Sequence, residues 1–140
     1  MNAVVAALAF VWLGMVLAVS FLEAPLKFRA PGITVPLGVG IGRLVFRALN
    51  ACETVLALGI VIALGTGPHR TATVVLFAIA AVDLLGCVVL RRTMDRRVIG
   101  ATATHEVGDE MPRHNLHFAY IALEVVKVGV LIAVGVTALA

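Results

Sequence analysis

"RALNACETVLALGIVIALGTGPHRTATVVLFAIAAVDLLGCVVLRR", residues 47–92, holds two long apolar runs parted by a short turn. Each run approaches the ~20 residues that a helix needs to cross a bilayer. "GTGPHR" is a tight turn of glycine and proline, so the runs are antiparallel neighbours. Arginines bracket the pair, and Asn50, Glu53 and Asp83 interrupt its apolar faces. The stretch is a transmembrane hairpin with polar groups built into it.

Two further runs flank the hairpin, which places four spans at roughly 3–22, 44–64, 72–90 and 118–140. Of the 140 residues 61% are hydrophobic and 14% charged, and mean hydropathy is +1.08. A soluble domain is typically about 45–50% apolar and about 25% charged. Little chain is left for anything else. The expectation is one all-α integral membrane domain over 1–140, a four-transmembrane-helix bundle whose first partner is the lipid bilayer. No Lys or Arg precedes Lys27. A secretory signal needs a basic start, so the first run reads as a retained helix.

The net charge of +3 is accounted for by the loops, with no nucleic-acid partner implied. Lys27, Arg29, Arg43 and Arg47 lie between helices one and two. Arg91, Arg92, Arg96, Arg97 and Arg113 lie between helices three and four. The turn between helices two and three has only Arg70. Basic residues collect on cytoplasmic loops, which places segments 23–43 and 91–117 in the cytoplasm and both termini outside, in the cell (inner) membrane. Cys52 and Cys87 fall within the helices and read as two buried free thiols.

Pro25 breaks or kinks the first helix near its end. "RAPGITVPLGVGIGR" follows, with two prolines and four glycines. It is too short to span and reads as an interfacial or re-entrant piece. Gly38, Gly40 and Gly42 give G-x-G-x-G with no preceding strand, so a nucleotide-binding loop is rejected.

The polar residues are periodic. Arg43, Arg47, Asn50 and Glu53 step by four, three and three, one face of helix two. His117, Tyr120, Glu124 and Lys127 step by three, four and three on helix four. Asp83 stands alone on helix three, and Glu23, Lys27 and Arg29 close helix one. At 1.5 Å per residue, Glu53 lies ~9 Å beyond Arg47, Asp83 ~12 Å inside Arg91 and Glu124 ~10 Å beyond His117. The carboxylates therefore reach one depth and line a pocket opening to the cytoplasm. Each charge facing lipid would cost about 2.5–3.5 kcal/mol at a helix centre, so these faces turn inward. Ion pairing that merely joins helices is the bland alternative. Ligand contacts are expected from Arg43, Arg47, Asn50, Glu53, Asp83, His117, Tyr120, Glu124 and Lys127, with Glu23, Lys27 and Arg29 secondary.

His114 and His117, three apart, do not supply the three or four protein ligands of a zinc site, and His105 falls in a loop. No metal and no cofactor is expected. Trp12 and the Phe residues of helix one read as lipid-facing or packing groups.

"SFLEAPLKFRAPG…GIGRLVFRALNACE", with "HFAYIALEVVK" near the end, resembles a bacterial group of small four-helix integral membrane proteins of unknown function. That group is similar in pattern to the human transmembrane protein linked to cisplatin resistance. The resemblance implies a fold and a location. "RALNACE" also resembles helix two of the MAPEG family, membrane glutathione transferases and eicosanoid enzymes. That resemblance implies that Asn50 and Glu53 contact glutathione, although the family's Arg falls where this chain has Phe46.

Three functions remain open. A binding or transport protein would hold a small polar or amphiphilic ligand, with Arg43, Arg47 and Lys127 on an anionic group and the carboxylates on cations or protons. An enzyme acting on a lipophilic substrate would use Glu53, Asp83 or Glu124 as general acid or base. An accessory subunit would pair these charges with a larger membrane complex. So small a chain is also expected to self-associate.

Overall fold

The computed structural model describes residues 3–68, 70–103 and 111–140, and their side chains except at 94, 95, 97–103 and 111–117. They form four long helices: α1, Ala3–Arg29; α2, Val35–Gly65; α3, Thr71–Ala103; and α4, Met111–Leu139. Ala3–Arg29, Val35–Gly65, Thr71–Thr93 and Phe118–Leu139 are each long and apolar enough to cross a membrane. The chain is all-helical, with the build of a multi-pass membrane protein.

Contacts between helices fix the direction of each. Trp12 of α1 meets Glu53 of α2, and Leu8 packs beside Gly59. Ser20 meets Glu124 of α4, while Phe10 lies on Gly135. Thr73 of α3 meets Thr137, and Cys87 meets Glu124. In each pair rising numbers on one helix match falling numbers on the other, so the neighbours are antiparallel. The ring runs α2–α1–α4–α3, and its fourth seam, α2 against α3, is the least closely packed. One end of the bundle gathers the start of α1, the 66–70 turn and the end of α4. Arg70 Nη2 donates to the Ala140 carbonyl there, 2.6 Å away. The other end carries the connections from α1 to α2 and from α3 to α4. These are the terminal and loop ends.

Periodicity decides what is buried. The inner seam of α4 is Tyr120, Glu124, Lys127, Leu131, Val134 and Ala138, steps of four and three that keep one stripe facing its partners. Val5, Ala9, Trp12 and Val16 do the same for α1. With Ile60, Leu64, Phe77, Ala80 and Leu84 they form the apolar core. The outer faces are apolar too: Leu58, Ile62, Val82, Leu85 and Val125 are exposed. On a soluble protein so much exposed apolar surface would drive association; hydrocarbon is its matching solvent.

The loops expected over 23–43 and 91–117 are helical at 23–29, 35–43, 91–103 and 111–117. α2 begins at Val35, with Thr34 as its N-cap accepting from the Leu37 N–H at 3.4 Å and Pro36 in the first turn. Proline is tolerated there because the first-turn N–H groups have no partner within the helix. Its 31 residues reach ~46 Å, longer than the ~30 Å hydrocarbon core. Hydropathy marks only the apolar part of such a helix, so the sequence boundary fell at Leu44. Gly38 and Gly42, one turn apart, take the Phe28 ring and the Lys27 side chain of α1 against the α2 backbone, where a Cβ would collide. The glycines serve this close approach.

Proline also shapes α1. Pro25 has no N–H and crowds the carbonyl of Phe21. The helix widens into a π segment, Leu17–Glu23, in which the Ala24 N–H bonds to Val19 O. The first helix thus runs on to Arg29, past the expected limit near Leu22.

Candidate functional site

A closed polar cluster sits where α1, α2, α3 and α4 face one another in the loop-side half. Lys127 of α4 is its hub and is 0% exposed. Its Nζ donates to Glu53 Oε1 at 3.0 Å and to Glu124 Oε1 at 3.2 Å. Glu53 Oε1 also accepts from Trp12 Nε1 at 2.9 Å. Glu124 Oε2 accepts from Ser20 Oγ at 3.1 Å, and Glu124 Oε1 from Cys87 Sγ at 3.8 Å. Asp83, 6% exposed, lies one helical turn before Cys87, within electrostatic reach of Lys127, Glu124 and Glu53.

Three acids thus surround one ammonium. Buried charges are tolerable when paired and hydrogen-bonded. Glu124 has both oxygens engaged. Glu53 Oε2 and Asp83 Oδ2 are buried without a hydrogen-bond partner, as are Asn50 Oδ1, Tyr120 Oη and Arg91 Nε. Every one of these atoms lies on the loop side of Trp12 and Leu131. The terminal half is filled by apolar core. Among the described residues, the polar capacity left open therefore lies on one side of the bundle.

The helix-two stripe divides. Glu53 turns into the cluster, whereas Arg47 and Asn50 line a cleft of about 400 Å³ at the α2–α3 seam, with Ala51, Thr54, Val88, Arg91 and Arg92. Thr54 Oγ1 donates back to the Asn50 carbonyl at 2.8 Å. Arg43 is half-buried on the same helix. Two expectations change. The carboxylate–lysine cluster is not itself an open pocket; the opening is the adjacent cleft. Nor does Lys127 join Arg43 and Arg47 on one anion, because two carboxylates hold it in the core.

Glu23 and Lys27 pair with each other at 3.5 Å at the loop end of α1. Lys27 also lies over the Phe28 and Phe46 rings, and Arg29 is exposed. These secondary candidates belong to the α1–α2 contact and stand outside the cluster. The side chains of His105, His114 and His117 lie outside the described residues. Among the described residues, no group of three or more His, Cys, Asp or Glu is arranged to hold a metal ion. Cys52 is exposed and Cys87 buried, both free thiols, so the expected pair of buried thiols holds for one.

Trp12, Ser20, Cys87, Arg91 and Arg92 were not among the expected site residues. Trp12 is 0% exposed and faces Glu53 instead of lipid. Its signal was the indole N–H, a donor that needs a partner in a dry helix. Ser20 is the sole hydroxyl in "VVAALAFVWLGMVLAVSFL", and it lies within the π segment. Arg91 and Arg92 were absorbed by the charge asymmetry of the loops.

No family model matches the chain, and no curated protein or solved structure matches it either.

Proposed function

We propose that the protein binds a proton at the Glu53–Asp83–Glu124–Lys127 cluster, taken up from the loop end of the bundle, as the ion-binding step of a transport function. The observation that carries this reading is the charge count. Three carboxylates share one ammonium in a site closed to bulk solvent, and two carboxylate oxygens there have no partner. Leaving two surplus negative charges uncompensated in a low-dielectric interior is costly, and each proton bound removes one of them. Bound water suits the approach, since the unpartnered groups of Asn50, Tyr120 and Arg91 are polar and lie between cleft and cluster. By the charge asymmetry of the loops, that side is the cytoplasm of the cell membrane, with both termini outside.

The test is proton counting. Purified protein is titrated in weakly buffered detergent with a pH indicator dye, and the same proteins are reconstituted in vesicles holding a pH-sensitive dye. Wild type is expected to take up at least one proton per chain more than Asp83→Asn or Glu53→Gln, and to respond to an imposed pH gradient as neither variant does. Circular dichroism and elution volume monitor folding. Equal proton counts in folded wild type and variants would refute the reading and leave the cluster a joint between helices.

A further inference from the structure

The α2–α3 cleft presents a second chemistry, distinct from the acidic cluster. Arg47 comes from α2, and Arg91 and Arg92 from α3. Among the described residues none of the three forms an ion pair. Basic residues at helix ends are common as markers of membrane orientation, and most sway freely. Arg91 is held. Its guanidinium stands 4.2 Å from the centroid of Phe46 and 4.7 Å from that of Tyr120. The two rings meet edge to face at 5.6 Å and 89°. Ring faces attract a cation without cancelling its charge. The stack therefore fixes the fork while leaving its positive charge unspent.

Two buried polar atoms at the cleft lack partners: Arg91 Nε, and the Oδ1 of Asn50, a side chain 9% exposed. The carboxamide exposes its NH₂ instead when turned over, a change that keeps its shape. Three guanidinium groups and one amide then converge on a space of about 400 Å³, within the range of small-ligand sites. Planar N–H forks match tetrahedral oxyanions, which is why arginine dominates phosphate recognition. Val88 and Ala51 line the same space with apolar surface. The apolar run of α3 gives way to charge after Leu90, so the arginines stand at the level where a bilayer's phosphates begin.

We propose that this cleft binds a phosphate group, with Arg47, Arg91 and Arg92 as its cationic contacts, Asn50 as a neutral donor, and Phe46 and Tyr120 as positioning residues for Arg91. The phosphate belongs either to an anionic lipid headgroup or to a free phosphate. Two probes separate these sources: short-chain phosphatidic acid and inorganic phosphate, each added to delipidated protein in neutral detergent. Native mass spectrometry counts bound lipid, and calorimetry follows phosphate.

One phosphatidic acid per chain is expected, with at least tenfold weaker binding in Arg91→Gln and none measurable in Arg47→Gln/Arg91→Gln/Arg92→Gln. Phe46→Leu weakens binding by releasing Arg91. Binding of inorganic phosphate that displaces the lipid assigns the site to free phosphate; lipid binding alone assigns it to the headgroup. Circular dichroism confirms that each variant is folded. The proposal falls if neither probe binds wild type, or if the triple variant binds as wild type does. Neither result bears on proton uptake, which the dye titration reads separately.

Discussion

The two halves of this bundle share the same helices and even the same seam, yet they are held by different forces. On α4 the seam reads Tyr120, Glu124, Lys127 toward the loop end and Leu131, Val134, Ala138 toward the terminal end. In lipid, burying a leucine against another helix gains little over leaving it in hydrocarbon, so association rests on close packing and interhelical hydrogen bonds. The terminal half relies mainly on the first of these: Phe10 lies on Gly135 and Leu8 sits beside Gly59, with one neutral bond, from Thr73 to Thr137, added. The loop half also packs closely, at Gly38 and Gly42, but adds charged hydrogen bonds through Lys127, Glu53, Glu124, Trp12 and Ser20. The lesson is that the terminal half has shape and neutral hydroxyls to satisfy, whereas the loop half must balance charge, and the charged half is the one that can respond to an ion.

The sharpest way to break this contrast is Lys127→Met. It strands two carboxylates and is expected to cost about 3–5 kcal/mol, the range for removing one partner of a buried pair. Thermal unfolding in detergent reads the loss. Lys127→Met/Glu53→Gln should recover part of it, because one stranded charge is then gone. Failure to recover would mean that Lys127 acts through packing alone. In the terminal half Leu131→Ala should cost about 2–5 kcal/mol through the cavity it leaves, and no charge substitution should relieve it. Next comes Trp12→Phe, expected to cost about 1.5–3 kcal/mol by removing a bond to a charged group. Its effect should shrink in a Glu53→Gln background, a coupling that a double-mutant cycle measures. Smallest is Ser20→Ala, at about 0.6 kcal/mol, the average interhelical hydrogen bond in membrane proteins. A loss as large as that of Lys127→Met would show that the π segment, and not the single bond, depends on Ser20.

The same contrast explains what the sequence disclosed. Hydropathy made the four spans legible, because length and apolar content are local properties. Helical spacing likewise put Glu53, Glu124 and Lys127 on inward faces. Spacing cannot say how a stripe divides between two neighbours, and so Arg47 and Asn50, read as continuous with Glu53, turn toward α3. It is equally blind to a π turn, which shifts the register after Leu17 and presents Ser20 to Glu124. Trp12 takes the packing alternative of its two expected roles, because an aromatic ring in a membrane helix suits lipid and core alike and the partner for its N–H decides. Gly38 and Gly42 also carry a small-x-x-x-small spacing, whose use shows only in the contacts with Phe28 and Lys27.

Trp12 is the chain's one tryptophan, and its indole N–H is bonded directly to Glu53. Indole emission follows the field and the hydrogen bond at that nitrogen. The protein therefore carries an intrinsic optical reporter at the heart of its charged cluster. Whatever alters the charge on Glu53 alters the colour or brightness of a single, unlabelled fluorophore, and every variant that keeps Trp12 can be read in the same cuvette.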